Sequence, residues 1–183
     1  IFHPLGWYTA SGAQPGWFLL LLSPLTNMIG ATATYNLSLL TTFSLAGFGV
    51  YLFSYCLTQK RLASFLAGAA YIAAPVLTLR LGGHFHTLLS MMFLPYALIC
   101  FYRAFTSSKR NWFWIALSSV MLGLTILSMW YFLFIATLPI IGMVLFFHAP
   151  ITWRERFLRL SIIGIATIII IAPFAYLSWY ARQ

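Results

Sequence analysis

The chain has 183 residues, 62% of them hydrophobic and only 6% charged. A soluble domain is roughly 45–50% apolar and about 25% charged, so a free-standing soluble fold is excluded. Ten lysines and arginines face one acidic residue, Glu155, with no aspartate anywhere, and any mechanism needing two carboxylates cannot be completed by these residues.

An aromatic share of 19% and a mean hydropathy of +0.94 predict an all-α, polytopic transmembrane helical bundle. The chain begins at Ile1 and ends at Gln183 just after an apolar run, and it reads as an internal fragment truncated at both ends. Residues 1–33 form the end of an external loop, with Pro, Gly, Ser and Gln spread over 3–16. The apolar stretch 16–30 holds Pro24 and is short. It is expected to lie along the outer interface or to re-enter, because crossing takes roughly 20 apolar residues.

The transmembrane domain follows over 34–183. Its clearest spans are 34–57, 62–79, 87–105 and 158–178. The stretch 112–147 is too long for one span. It is expected to break near 128–130 into two short helices, 112–127 and 130–147, making about six spans or half-spans. A single long tilted helix is the other reading, and it would invert everything that follows.

With the hairpin, Lys60, Arg61, Arg103, Lys109, Arg110, Arg154, Arg156 and Arg159 all fall on the cytoplasmic side, leaving Arg80 and Arg182 outside. This is the positive-inside pattern. Trp112, Trp114 and Trp153 then sit near the inner interface, and Trp130 and Trp179 near the outer one. The pI near 10.0 comes from short basic clusters between apolar runs, which suits an anionic membrane face and not nucleic acid.

Small residues suggest how the helices pack. Ala63, Ala67, Ala70 and Ala74 repeat at helical spacing and are expected to form the stripe that lets a neighbour approach. Thr41, Thr42, Ser44, Gly47 and Gly49 fit the same close packing, and Pro75 is expected to end or kink its helix. Cys56 and Cys100 carry no metal or redox spacing and read as packed thiols.

Polar candidates cluster on the outer side, in Arg80-Leu-Gly-Gly-His84-Phe-His86. A His-x-His pair followed by Met91 and Met92 could hold Cu(I), but zinc or copper would need further ligands at a fixed spacing. No metal site and no cofactor is evident, and a divalent metal is not supported by these residues. Two other readings stand side by side: interfacial histidines, or histidines that hydrogen-bond an anionic or hydroxyl-rich substrate. Arg80 either snorkels to headgroups or grips a phosphate through paired N–H donors. Arg154-Glu-Arg-Phe-Leu-Arg159 reads as a topology signal with Glu155 paired among arginines, a poor setting for a base. His148 beside it reads as structural.

Four stretches in order resemble the GT-C class of membrane glycosyltransferases, nearest to bacterial proteins of the RgtA/B/C/D-like group found among lipopolysaccharide sugar transferases. They are Tyr35-Asn-Leu running to Gly47-Phe-Gly-Val-Tyr51, Arg61 through Gly68 to Pro75, Gly83-His84-Phe-His86 followed by Leu94-Pro95-Tyr, and Ser128-Met-Trp130-Tyr131. The likeness covers most of residues 16–147. It implies transfer of a sugar from a polyprenyl-phosphate donor to a cell-envelope acceptor at the outer face of the bacterial cytoplasmic membrane. Substrate binding would then fall to His84, His86 and Arg80. In such enzymes an acid in the first external loop is the catalytic base, and none lies on the external side of this fragment. The partners so implied are the lipid bilayer, the lipid-linked donor and an acceptor of unspecified chemistry. A multi-span transporter or flippase, or a non-catalytic membrane subunit of envelope assembly, is the alternative.

Overall fold

The computed structural model describes residues 16–80, 85–107, 110–146 and 151–180. Among them every regular element is a helix: α1 Gly16–Ile29, α2 Ala31–Thr58, α3 Arg61–Ile72, α4 Pro75–Arg80, α5 Phe85–Thr106, α6 Trp112–Ser128, α7 Phe132–Phe146 and α8 Trp153–Tyr180. Four helical stretches are long and apolar enough to cross a membrane: α2, the α3–α4 pair, α5, and α8 over Trp153–Tyr176. The helix α1, with 14 residues, reaches about 21 Å, short of the roughly 30 Å hydrocarbon core.

Lipid offers the backbone no partners, so an apolar chain must satisfy its N–H and C=O groups within each segment. Hydroxyls buried in α2 obey the same constraint. Thr34 donates to Gly30 O at 2.8 Å, Ser38 to Thr34 O at 2.7 Å and Thr42 to Ser38 O at 2.7 Å, each bonding back one turn.

The helix ends have local causes. Gly30 joins α1 to α2 at φ 84°, a left-handed conformation open to glycine without a Cβ penalty. Gln59 closes α2 at φ 57°, with its backbone N–H and its side-chain Nε2 both donating to Tyr55 O. α3 stops at Ile72 because Pro75 has no N–H for the carbonyl of Tyr71. The N–H of Ala74 takes that oxygen instead at 3.2 Å, and Pro75 becomes the first residue of α4. Asn111 caps α6, its Oδ1 accepting from Phe113 N at 3.1 Å. At the far end of α6 Met129 turns extended, at φ −160° and ψ 116°. The stretch 112–146 is therefore two helices parted at 129–131.

Consecutive long elements run back and forth, with α2 against α3 and α5, and α6 against α5 and α8. The bundle thus has two ends. One gathers Lys60, Arg61, Arg103, Arg110 and the first turn of α8, and is called the basic end below. The other gathers Gly30, Arg80, His86 and residues 129–131, and is called the histidine end. α5 is the most buried of the four long spans. Phe101, Phe105, Ile115, Ile140 and Ile163 from α5, α6, α7 and α8 close one core cluster, and Ala46, Leu89 and Met92 form a second.

The alanine stripe lies beside the closest contact: Ala63 and Ala70 are exposed and Ala67 and Ala74 half-buried, whereas α3 meets α2 through the buried Ser64 and Gly68. A Cβ on Gly68 would lie 2.6 Å from Gly47 O, and one on Gly47 would lie 2.8 Å from Ile72 Cγ2. Backbone against backbone is the closest approach available to two helices, and glycine at that point sets the rotation of α3, one residue round from the alanines. In α2, Thr42, Gly47 and Gly49 are buried whereas Thr41 and Ser44 face outward. Gly49 makes room for Pro95 and Tyr96 of α5.

Polar bonds then tie the helices together. Tyr71 donates to Met91 O at 2.9 Å and Tyr96 to Leu45 O at 2.8 Å. Ser119 of α6 donates to Ile163 O of α8 at 3.3 Å, and Thr167 of α8 returns a bond to Ser119 O at 3.4 Å. Both cysteines are free thiols, Cys100 buried and Cys56 half-buried.

Candidate functional site

Two polar assemblies stand out, one at each end. At the histidine end Arg80 is the last residue of α4 and half-buried, and His86 is the second residue of α5 and half-buried. α4 packs on α5, so both side chains belong to one mouth of the bundle. His84 lies outside the described residues, as do His148, Lys109 and Arg182 and the side chain of Trp179. The His-x-His pair therefore has one described member. Among the described residues no three His, Cys, Asp or Glu side chains gather closely enough to hold a metal. Met92, offered by the sequence as a thioether ligand, is buried with Ala46 and Leu89.

Just inside His86 the α6–α7 break meets α5. Thr87 is 3% exposed, and its hydroxyl lies 3.1 Å from Met129 Sδ, to which it donates, and 3.4 Å from the Tyr131 hydroxyl. One turn deeper Ser90 donates to Thr125 O at 2.9 Å and to the carbonyl of His86 at 3.3 Å. Thr125 O also accepts from Met129 N at 3.4 Å, a long bond where α6 opens. Ser90 thus supports a carbonyl that the fraying helix holds weakly. Aromatic rings gather at the same end. Phe85 sits between Phe18 and Tyr35, with ring centres at 5.6 and 5.8 Å, and Trp130 meets Tyr131 edge-on. Trp130 is 70% exposed.

The arrangement can do limited, definite chemistry. A guanidinium and an imidazole at the rim suit an anionic or hydroxyl-bearing ligand, and the Tyr131 hydroxyl offers a donor or acceptor beside them. Sequence reading named Arg80, His84 and His86 as candidates and did not name Thr87 or Ser90. Their hydroxyls look like ordinary helix residues in sequence, and only the broken helix opposite gives them partners.

At the basic end the cluster 154–159 proves to be architecture. Arg159 is 1% exposed. It donates to Ala104 O at 2.6 Å, Ser107 O at 2.8 Å and Glu155 Oε1 at 2.9 Å. Arg156, 8% exposed, donates to Val144 O at 2.7 Å and lies over the Trp153 ring at 4.6 Å. Two arginines in the first turns of α8 thereby bind carbonyls at the C-terminal ends of α5 and α7, where orphan oxygens and the negative pole of the helix dipole favour a cation. Glu155 is held in a two-pronged grip by Arg110 at 2.9 and 2.7 Å as well as by Arg159. Hydrogen bonding to Glu155 raises the Arg110 pKa above its ordinary value, so this pair stays charged at any physiological pH. The sole carboxylate side chain of the sequence is thus committed to structure, far from His86.

Comparison with protein-family models, with curated proteins and with solved structures finds no match for this chain.

Proposed function

We propose that this chain is the donor-binding part of an integral membrane glycosyltransferase that draws a sugar from a polyprenyl-phosphate carrier and passes it to a cell-envelope acceptor. The observation that carries the reading is the histidine end. There Arg80 and His86, both half-buried, lie at the end where α6 breaks from α7, and next along α5 from His86 the buried Thr87 hydroxyl lies 3.4 Å from the Tyr131 hydroxyl. Of the GT-C-like stretches, the third and fourth hold His86 and Trp130-Tyr131 of this same end. The histidine end faces outside in this reading, because seven of the eight described basic residues, all but Arg80, lie toward the other end and basic residues stay with the cytoplasm.

Division of labour follows from the residues. Arg80 pairs with the carrier phosphate through its fork of N–H donors, and His86 with a phosphate or sugar oxygen. Trp130 and the tyrosines offer amphipathic rings at the depth where a sugar joins a lipid tail. Glu155 has no part in proton transfer, because Arg110 and Arg159 occupy it at the opposite end.

The test is sugar transfer in membranes that hold the protein, with a radiolabelled polyprenyl-phosphate sugar as donor. Arg80→Ala and His86→Ala each lower the rate about tenfold or more, as expected for loss of one charge-assisted hydrogen bond, at unchanged protein level. Unchanged rates in both variants overturn the assignment.

A further inference from the structure

The basic residues of one end do not form one population. Arg110, Arg156 and Arg159 are spent inside the fold, on Glu155, on the carbonyls of Ala104, Ser107 and Val144, and on the Trp153 ring. Lys60, Arg61 and Arg103 are placed differently. All three are exposed, and they cluster at the turn between α2 and α3 and the last turns of α5. The Arg103 guanidinium lies 3.6 Å from Cys56 Sγ, and Cys56 is about one helical turn before Lys60. The turn itself is fixed, with Lys60 N donating to Thr58 Oγ1 at 3.3 Å and Ser64 donating to Lys60 O at 2.8 Å.

Charge accounting gives this second group its meaning. The sequence contains one acidic side chain, and two arginines elsewhere already hold it. Within these 183 residues no acidic side chain is left to neutralise Lys60, Arg61 and Arg103, so their counter-charge comes from outside this sequence. Those surroundings are the interface of a bilayer, at the end of helices long enough to cross it. Three cations on a fixed turn beside α5 have the charge and reach to hold a lipid phosphate between helices, as basic pockets at membrane surfaces do.

We propose that Lys60, Arg61 and Arg103 form a binding site for the headgroup of an anionic phospholipid, at the opposite end from the donor site and independent of the transferase reading. The arginine-rich run at 154–159, the strongest basic signal in the sequence, is not that site, because its buried members are already bonded within the protein.

The test is native mass spectrometry of the whole protein released from nanodiscs of mixed phosphatidylglycerol and phosphatidylcholine. Wild type retains phosphatidylglycerol in preference to phosphatidylcholine. Each basic residue contributes roughly fivefold to binding at an anionic surface, so K60Q/R61Q/R103Q lowers retention on the order of a hundredfold. Arg154→Gln, at an exposed arginine in the first turn of α8, leaves retention unchanged. The swap K60R/R61K keeps the charge and retains the lipid, which separates loss of charge from loss of fold. Excess inorganic phosphate fails to displace the lipid; displacement by it at millimolar level overturns a lipid site in favour of a free-anion site. Equal retention by the triple variant, or loss in R154Q equal to that in the triple variant, overturns the proposal.

Discussion

Deleting the Tyr71 hydroxyl tests how this bundle copes with proline inside a span. Pro95 lies within α5 and cannot donate to the carbonyl four residues earlier, that of Met91. Tyr71 of α3 donates to that carbonyl at 2.9 Å, so a neighbouring helix replaces the missing intrahelical bond. Tyr71→Phe keeps the ring and strands the carbonyl in an apolar setting. A hydrogen bond is worth about 1 kcal/mol net, and an unsatisfied buried acceptor raises the cost toward roughly 2 kcal/mol. Pro95→Ala restores an N–H at that point and keeps the Cβ that packs at Gly49. In that background Tyr71→Phe costs under about 0.5 kcal/mol, because Met91 O returns to its own helix. The four proteins form a double-mutant cycle, read by reversible unfolding in mixed micelles, with a coupling of about 1 kcal/mol expected. Membrane hydrogen bonds average nearer 0.6 kcal/mol where the unfolded state finds other partners, which sets the lower bound. Additive effects, with no coupling, refute the claim that Tyr71 serves the carbonyl freed by Pro95.

Two further predictions concern stability. Gly68→Ala drives a methyl to 2.6 Å from Gly47 O, backbone that cannot yield cheaply. It costs about 1–3 kcal/mol in the same unfolding assay, whereas Ala70→Gly on the exposed face costs no more than about 1 kcal/mol of helix propensity. Arg159→Met keeps an unbranched apolar stem but is shorter and leaves Ala104 O and Ser107 O without their charged donor. Two such bonds at about 1.5 kcal/mol each predict a loss near 3 kcal/mol, and a loss below about 0.5 kcal/mol shows the pairings to be incidental.

Long apolar runs declare helices, and their placement needed nothing beyond hydropathy and proline. The helix α2 covers 31–58 where hydropathy marked 34–57, and α5 covers 85–106 where it marked 87–105. What hydropathy could not give was rotation about each helix axis. Helices apolar all round carry no moment to aim them, and small residues occur on two adjacent faces of α3. Ala63 and Ala70 offer one such face and Ser64 and Gly68 the other. Only the partner decides between them, and the partner's deciding feature is the bare backbone at Gly47. The polar residues show the same gap. Arg80 and His86 stand out in sequence because they interrupt an apolar text. Thr87 and Ser90 do not, and their relevance depends on Met129 leaving the helix across from them.

The arginines carry the argument about function furthest. A count by sequence treats the basic residues of one end as equivalent topology markers, yet Arg159 is 1% exposed and Arg103 is exposed. A buried guanidinium is tolerated best when its donors are matched, and for Arg159 the carbonyls closing α5 and the Glu155 carboxylate supply that match. Using Glu155 to complete the same network removes the sole carboxylate side chain from any catalytic part. What these residues themselves offer at the histidine end is a cation, an imidazole and hydroxyls, groups that bind and orient a phosphate far better than they remove a proton from an acceptor hydroxyl. The reading of donor binding therefore follows from where the protein has spent its one acid as much as from what lines the opposite mouth.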